Sequence, residues 1–306
     1  MERDFLSVDD LTPDELAGLL DLSAKVKAQP GDVAAGLRGR AVAMIFEKPS
    51  TRTRVSFEVA ISSSGGHPVV LSSAELQLGR GETIEDTGRV LARYVDAIVL
   101  RTFEQERLEV LADAATVPVV NALSDFEHPC QCLADLLTIR EVKGELAGRT
   151  LTYLGDGNNV AHSLLLGGTK LGMHVRVATP PGFEPIPQVV QRATEIAEST
   201  RGSVLTTNDP RDAAAGSDVL YTDVWASMGQ EREAGGRALV FPAYALDQAK
   251  VDLARPDVTV LHCLPAHRGQ EITDEVIDGA HSAVWDQAEN RMHTQKALLL
   301  WLLGAA

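Results

Sequence analysis

The chain has 306 residues, with 28 lysines and arginines against 43 aspartates and glutamates, a formal net charge of -15. This anionic balance argues against nucleic acid or acidic lipid as the main partner, although a local arginine cluster can still bind a small anion. The three cysteines predict a reducing compartment without a disulfide framework. The sequence has neither an N-terminal signal pattern nor an apolar run of membrane-spanning length, so we expect a cytoplasmic protein.

The first half of the sequence alternates strand and helix patterns, because short apolar runs are separated by stretches of helical periodicity. In chain order we expect a helix over 8–28, a strand over 41–46, a helix over 50–64, a strand over 69–71, a helix over 83–94, a strand over 97–100, a helix over 108–115, a strand over 117–121 and a helix over 128–142.

The alternation then restarts. The second series comprises a strand over 150–154, a helix over 160–171, a strand over 175–178, a helix over 186–199, a strand over 204–206, a short helix over 211–215, strands over 219–222 and 258–262, and a long amphipathic helix over 285–303. Two such series predict an α/β protein with two domains, each with a parallel β-sheet flanked by helices, joined in the helix around 135–148. Ligands of such sheets bind beyond the carboxyl ends of the strands.

A cluster of hydroxyl and guanidinium groups follows the first strand. Ser50, Thr51, Arg52 and Thr53 stand at the predicted start of a helix, with Arg54 next. Free backbone N–H groups and the positive end of the helix dipole favour an anion there, and Arg52 can form a forked pair with phosphate oxygens. A helix cap needs only one hydroxyl group, whereas this segment supplies three hydroxyl groups and two arginines. We therefore predict a phosphate site.

Three further polar side chains follow strands of the same half. Arg101 comes at the end of one strand, and His128 and Gln131 stand at the next helix start, with Pro129 presetting the turn. A guanidinium, an imidazole and a carboxamide at one sheet edge can donate hydrogen bonds to a carbonyl oxygen that gains charge during acyl transfer. The group predicts a site that polarises a carbonyl.

His128 taken alone would be interpreted as a capping or packing residue. A metal site is a second alternative, because His128, Cys130 and Cys132 are alternating ligand types. No second ligand pair accompanies them at a usual zinc spacing, so we expect neither a metal nor an organic cofactor.

The second half carries residues suited to an amino acid. Asp223 follows a predicted strand and can hold an ammonium group, with Ser227 close by, and Asn159 can bind a carboxylate through its amide. Cys263 follows the last strand, near the expected nucleophile or leaving group, and Arg291 lies in the start of the final helix.

Two alternatives apply to this half. Cys263 can be a small buried packing residue. The loop with Gly155 and Gly157 can be half of a dinucleotide fingerprint, but Val160 occupies the third glycine position and no acidic residue ends the next strand. The dinucleotide interpretation is therefore poor.

Together these motifs closely resemble the ornithine carbamoyltransferase family over nearly the whole chain. The segments that carry the resemblance are 50–54, 101–102, 128–131, Asp223 with 227–229, and 262–265. The first three are shared with the wider aspartate/ornithine carbamoyltransferase superfamily, and the last two are more specific to ornithine enzymes.

The resemblance implies transfer of the carbamoyl group of carbamoyl phosphate to the side-chain amine of L-ornithine, giving L-citrulline and phosphate in arginine biosynthesis. It implies a carbamoyl phosphate-binding domain of residues 1–137 with the C-terminal helix 288–306, and an ornithine-binding domain of residues 138–287. The family is built on a homotrimer or a multiple of trimers, with active sites between domains and between subunits. It needs no metal, organic cofactor, nucleic acid or membrane.

The resemblance also assigns roles to single residues. Arg101, His128 and Cys263 are implied to act in catalysis. Carbamoyl phosphate would be bound by Ser50, Thr51, Arg52, Thr53, Gln77, Arg101, His128, Pro129, Cys130, Gln131, Cys263, Leu264 and Arg291. Gln77 matches a glutamine that reaches a neighbouring subunit's site. Ornithine would be bound by Asn159, Asp223, Ser227 and Met228, with Asn158 as the alternative to Asn159.

Charge decides between acceptors and between function classes. Aspartate would need extra cations for its second carboxylate, N-acetylornithine lacks the α-ammonium that suits Asp223, and putrescine lacks the carboxylate. Outside this class, the alternatives are a nucleotide-dependent oxidoreductase and a non-catalytic amino-acid-binding protein, and the latter leaves the Arg52 cluster unexplained. We expect segment 230–243 to form a lid that excludes water.

Overall fold

The structure, a computed structural model, describes residues 3–72, 81–226 and 234–305 and divides into two compact units. The first unit comprises the chain up to Leu133 and from Arg291 onward, and the second comprises Ala134–Asn290. The chain passes between the units within two helices, α5 (Pro129–Lys143) and α12 (Val284–Leu302). The predicted domain boundaries, 137/138 and 287/288, fall in these two helices as well.

The first unit contains a four-stranded parallel sheet in the order β2-β1-β3-β4. The strands are β1 (Ala41–Phe46), β2 (His67–Ser72), β3 (Ala97–Arg101) and β4 (Val119–Leu123). Its helices are α1 (Pro13–Ala28), α2 (Thr51–Ser62), α3 (Ile84–Leu91) and α4 (Gln105–Ala114). Strands β3 and β4 are buried along their whole length, as expected for a parallel sheet covered on both faces.

The predicted helix over 8–28 is interrupted near its start. A short 3-10 turn over Val8–Asp10 comes first, and α1 begins only at Pro13. The Thr12 hydroxyl accepts a hydrogen bond from the Glu15 N–H, while the Glu15 carboxylate accepts one from the Thr12 N–H. This reciprocal cap, with proline at the first helical position, starts a new helix there.

The second unit contains a five-stranded parallel sheet in the order β7-β6-β5-β8-β9. The strands are β5 (Thr150–Leu154), β6 (His174–Ala178), β7 (Ser203–Thr207), β8 (Val219–Thr222) and β9 (Thr259–His262). The helices are α6 (Asn159–Lys170), α7 (Pro187–Thr200), α8 (Pro210–Ala214), α9 (Ala234–Val240), α10 (Gln248–Val251) and α11 (Asp274–Ile277). Every residue of α6 is buried, which makes it the central helix of this unit.

The predicted α/β architecture with two parallel sheets is confirmed. Strands β1, β5 and β8 have the predicted bounds. The short helices α9, α10 and α11 were missed, because segments of four to seven residues are too short for helical periodicity to stand out. None of the described helices is long and apolar enough to cross a membrane.

Candidate active site

Each sheet has a point where the strand order changes direction, and the candidate residues follow the strands at that point. In the first unit the change lies between β1 and β3, and in the second between β5 and β8. Loops at such a point diverge to opposite faces of the sheet and leave a crevice for ligands. In the first unit, Ser50 comes shortly after β1 and Arg101 is the last residue of β3. In the second unit, Asn158 comes shortly after β5 and Asp223 directly after β8.

The predicted phosphate site lies at the start of α2. Ser50 is the N-cap residue, and its hydroxyl accepts a hydrogen bond from the Thr53 N–H at 3.3 Å. Thr51 and Arg52 are exposed, whereas Thr53 is buried. The helix start therefore presents an exposed guanidinium beside free N–H groups, the arrangement that favours a bound anion.

Arg291 joins three elements of the first unit. One of its terminal nitrogens donates to the Gln131 Oε1 at 2.7 Å, and the other donates to the Thr53 hydroxyl at 2.9 Å. It is buried in the interior of α12, not at the helix start expected from the sequence. A planar guanidinium with both ends engaged fixes the two side chains relative to each other.

His128 is buried and surrounded by cations. Burial, followed by the nearby charges of Arg291, Arg101 and Arg52, lowers the pKa of His128 well below its usual range. The imidazole is therefore neutral at physiological pH, with one N–H to donate and one nitrogen to accept. A neutral donor beside buried Arg101 is suited to a carbonyl oxygen that gains charge during reaction.

Pro129 and Cys130 begin α5, directly after His128. The Cys130 thiol is fully buried and donates to the Asn121 carbonyl oxygen at 3.3 Å. Burial raises the pKa of Cys130 to about 12, so the thiol stays protonated. The hydrogen bond to Asn121 anchors the start of α5 to the middle of β4.

The loops after β1 and β3 are tied together by side chains that the sequence did not single out. Glu47 accepts hydrogen bonds from the Thr102 hydroxyl and from Arg107, and its own N–H donates to the Arg101 carbonyl at 2.9 Å. Lys48 is ion-paired with Asp125. These contacts tie the loop that precedes Arg52 to the segments that follow β3 and β4.

Asp223 is the centre of the candidate site in the second unit. Its side chain is only 6% exposed, and both oxygens accept hydrogen bonds. The Asn158 Nδ2 donates to Oδ2 at 2.9 Å, and the Cys263 thiol donates to Oδ1 at 2.9 Å. Both donors are neutral groups, so neither takes the place of an ammonium group as the cationic partner of this carboxyl group.

Asn158, the alternative to Asn159, makes the contact with Asp223. It is also the N-cap residue of α6, where its Oδ1 accepts hydrogen bonds from the Val160 and Ala161 N–H groups. Asn159 is the first residue of that helix and is 9% exposed. The amide that the structure joins to the carboxylate is therefore that of Asn158.

Cys263 is a thiol and not a thiolate. Burial and the nearby Asp223 carboxylate raise its pKa well above the usual range. A protonated thiol is a weak nucleophile but a usable hydrogen-bond donor, which is the role seen toward Asp223. The arrangement supports catalysis without a covalent cysteine intermediate.

The turn after Cys263 is held by a buried histidine. Leu264 has a φ of 57°, an uncommon conformation for a non-glycine residue, and its N–H donates to the His262 Nδ1 at 2.9 Å. The other ring nitrogen, Nε2, lies 3.1 Å from the Glu271 Oε1. This pair orients the turn that presents Cys263.

Within residues 3–72, 81–226 and 234–305, one group of side chains has the spacing of a metal site: Asp223, His262 and Cys263, with ligand atoms within 4.8 Å of one another. Both nitrogens of His262 already have hydrogen-bonding partners. An ion would have to displace one of these bonds. The alternative of His128, Cys130 and Cys132 is not among such groups in the described chain.

Three of the predicted site residues, Gln77, Ser227 and Met228, lie outside the described residues. The described ones form two sets. The first unit brings Thr53, Gln131 and Arg291 into contact, with Arg52 and Arg101 around His128. The second unit brings Asp223 and Cys263 together with Asn158.

Comparison with known proteins decides the family. Residues 3–141 match the model of the aspartate/ornithine carbamoyltransferase carbamoyl-P binding domain, and residues 147–302 match that of the Asp/Orn binding domain. The chain belongs to the aspartate/ornithine carbamoyltransferase family. The predicted resemblance is thereby confirmed.

Individual relatives match over their full length. An ornithine carbamoyltransferase from Parafrankia sp. is 62% identical over 98% of this chain and 96% of its own. The solved ornithine carbamoyltransferase from Pyrococcus furiosus is 52% identical, with a TM-score of 0.96 over 99% of this chain and 97% of that one. An anabolic ornithine carbamoyltransferase from Campylobacter jejuni is 35% identical, with a TM-score of 0.92 over 98% of both chains.

Proposed function

We propose that the protein transfers the carbamoyl group of carbamoyl phosphate to the side-chain amine of L-ornithine, forming L-citrulline and phosphate. The observation that carries this proposal is the buried Asp223 carboxyl group, whose two hydrogen-bond donors, Asn158 and Cys263, are both neutral, so that the ammonium group of a ligand can serve as its cationic partner. The family, and relatives named ornithine carbamoyltransferase at 62% and 61% identity, support the same reaction.

The donor half of the proposal lies in the first unit, corresponding to residues 1–137 with 288–306. The phosphate of carbamoyl phosphate binds at the α2 start through Ser50, Thr51, Arg52 and Thr53. The carbamoyl oxygen accepts hydrogen bonds from Arg101 and the neutral His128, and Gln131 binds the carbamoyl amide. The fixed contacts of Arg291 with Thr53 and Gln131 support this assignment, because they align both ends of one small ligand.

The acceptor half lies in the second unit, corresponding to residues 138–287. Asp223 binds the α-ammonium of ornithine, and Ser227, Met228 and Asn159 complete the amino-acid site. Asn158 orients Asp223 through its hydrogen bond to the carboxyl group. Segment 230–243 is proposed to exclude water, and its described part begins with α9.

The chemistry requires no covalent intermediate. The uncharged side-chain amine of ornithine attacks the carbamoyl carbon, and the electron pair of the carbonyl moves to its oxygen. Arg101 and His128 stabilise that oxygen with preset donors. The electron pair on the oxygen then re-forms the carbonyl as the C–O bond to phosphate breaks. The phosphate leaves with the electron pair of that bond, held by Arg52, and takes up the proton that the new amide nitrogen loses.

Three further features are part of the proposal. The protein acts in arginine biosynthesis, as the anabolic relative from Campylobacter jejuni suggests. It works in the cytoplasm, which the three cysteines support because none of them is in a disulfide bond. It forms a homotrimer, supported by two pairs of exposed apolar side chains in the first unit: Val55 with Val59, and Val90 with Tyr94. Sedimentation at three times the chain mass of 32.8 kDa would test the trimer.

An acceptor panel tests the reaction. The purified protein would be incubated with carbamoyl phosphate and, separately, ornithine, N-acetylornithine, putrescine and aspartate, and carbamoylated products would be measured. Citrulline from ornithine alone is expected. Product from another acceptor would overturn the assignment of Asp223, and a folded protein that forms no product with any acceptor would overturn the reaction itself.

A further inference from the structure

The loops that carry Asn158 and Asp223 share a buried cation. Arg237, in α9, donates to the Asp156 Oδ2 at 2.5 Å and to the Trp225 carbonyl oxygen at 2.6 Å. Asp156 stands two positions before Asn158, and Trp225 stands two positions after Asp223. One guanidinium therefore contacts both chain segments that meet in the hydrogen bond between Asn158 and Asp223.

Aromatic rings enclose this guanidinium. Its carbon lies 4.9 Å from the centre of the Phe183 ring and 5.7 Å from that of Phe241. Phe183 and Phe241 pack edge to face at 4.8 Å, and Trp225 lies 5.8 Å from Phe241. Arg237 and Asp156 are 7% and 8% exposed, so the pair is shielded from solvent and from screening by salt.

The Asp156 loop is packed tightly on the same aromatic segment. The Gly157 N–H donates to the Phe183 carbonyl oxygen at 2.8 Å. A side-chain carbon at Gly157 would lie 2.3 Å from the Pro185 nitrogen and 2.6 Å from the Phe183 oxygen. The loop has no space to shift toward Phe183, and a hydrogen bond from the Arg237 side chain also holds Asp156.

We propose that Arg237 is a positioning residue for the acceptor amino acid: through Asp156 and the Trp225 backbone it sets the geometry of the Asn158–Asp223 pair. This inference rests on the proposed function, in which Asp223 binds the ornithine ammonium. Arg237 itself touches neither substrate in this scheme. A displacement of about 1 Å in a binding group can cost roughly a hundredfold in rate, so loss of this clamp should weaken use of ornithine.

The chain offers a matched ion pair as a control. Arg149 is paired with the buried Asp218 at 3.0 Å, in the same unit but at the amino ends of β5 and β8. Asp218 also lies 3.4 Å from Arg255, so a variant at Arg149 removes one of the two cations paired with a buried carboxylate at the opposite edge of the sheet. It should lower stability without altering the Asn158–Asp223 geometry.

The test compares steady-state kinetics and thermal stability of Arg237→Gln, Arg237→Lys, Asp156→Asn and Arg149→Gln with the wild type. For Arg237→Gln and Asp156→Asn, the KM for ornithine should rise roughly tenfold to a hundredfold, while the KM for carbamoyl phosphate changes less than about twofold. Arg237→Lys, which retains the charge, should recover part of the loss. Arg149→Gln should lower the melting temperature and leave both KM values unchanged.

The outcomes separate this inference from the proposed function. A wild type without citrulline formation would refute the proposed function. With an active wild type, equal rises in both KM values, or an equal effect of Arg149→Gln on the ornithine KM, would refute the positioning role. If Arg237→Gln fails to fold, Asp156→Asn and Arg237→Lys decide: an unchanged ornithine KM in both would overturn the proposal.

Discussion

In the first unit, cations surround a neutral group, whereas in the second unit neutral groups surround an anion. His128 is buried beside Arg291, Arg101 and Arg52, and its burial followed by these charges lowers its pKa. Asp223 instead accepts hydrogen bonds from Asn158 and from the thiol of Cys263, whose pKa is raised. Burial is the main cause of both shifts and is reinforced by the cations at His128 and by the Asp223 carboxylate at Cys263, so the His128 imidazole and the Cys263 thiol both remain uncharged near neutral pH.

The difference matches two kinds of ligand. A phosphate brings its own negative charge, so its site can leave an arginine such as Arg52 exposed until the ligand arrives. An ammonium group needs a carboxylate whose charge is not already neutralised, and amide and thiol donors leave Asp223 in that state. Asp156, in the same unit, is paired with Arg237 and has its charge balanced internally. Only one of these two carboxylates is therefore suited to a cationic ligand.

The largest expected effect is in the first unit. Arg52→Gln should lower kcat/KM by about 10²–10³-fold, mainly through weaker binding of carbamoyl phosphate, because a charged forked donor is lost. Arg54→Gln is the matched control: Arg54 is exposed on the same helix but paired with Glu58 at 3.4 Å. Initial rates at varied carbamoyl phosphate measure both, and similar losses in the two variants would contradict the assignment of Arg52.

The second unit should respond through the acceptor. Asp223→Asn should lower kcat/KM for ornithine by about 10²-fold, since removing one partner of a buried charge pair costs 2–5 kcal/mol. The control is Asp218→Asn, a buried carboxylate just before the other end of β8 that accepts the Thr150 N–H at 2.9 Å. It should destabilise the protein and leave the ornithine KM unchanged. A normal ornithine KM in Asp223→Asn would contradict the assignment of Asp223 as the group that binds the ornithine ammonium.

The loop that carries Asn158 should tolerate no side chain at Gly157. Gly157→Ala places a carbon 2.5 Å or less from backbone atoms of Pro185 and Glu184, so the free energy of unfolding should fall by about 1–3 kcal/mol. Gly235→Ala, in α9, meets nothing within 4 Å and should be neutral or stabilising. Urea unfolding of both variants measures this, and an equally stable Gly157→Ala protein would show that the loop can move.

The smallest expected effect is a pH dependence in the first unit. In the unfolded chain His128 takes up a proton below its ordinary pKa of 6.5, but the buried ring resists protonation. The folded state thus binds fewer protons, and its stability falls as the pH drops below 6.5 toward the lowered folded-state pKa, by about 1.4 kcal/mol per pH unit.

His128→Gln should remove this penalty. Between about pH 7.5 and pH 5.5 the variant should lose about 1 kcal/mol less stability than the wild type in urea unfolding. The exposed His281 provides the control, His281→Gln. Identical losses in wild type and His128→Gln would mean that the folded protein does not keep the His128 ring neutral.

Local sequence pattern was sufficient to predict most of the fold. The apolar run of β1 is bounded by Arg40 and Glu47, and Ser50 marks the α2 start by its capping chemistry. The helix α9 was missed because it contains two glycines in seven residues and has no apolar stripe.

The site residues that follow strands could be predicted from the sequence, whereas the contacts between distant residues could not. Arg52, His128 and Asp223 follow strands, and parallel strands bring their ends to one edge. The pairing of Arg237 with Asp156, 81 positions apart, depends on tertiary folding and leaves no local signal. The choice of Asn158 over Asn159 as the partner of Asp223 depends on which side chain caps α6, since a cap points back toward the strand end.

The central claim is that the first unit binds the donor and the second unit binds the acceptor. The most direct measurement is calorimetric titration of a stable phosphonate analogue of carbamoyl phosphate into wild type, Arg52→Gln and Asp223→Asn. We expect binding to be lost or strongly weakened in Arg52→Gln and unchanged in Asp223→Asn. Unchanged binding in Arg52→Gln, or equal weakening in both variants, would contradict the division of roles between the two units.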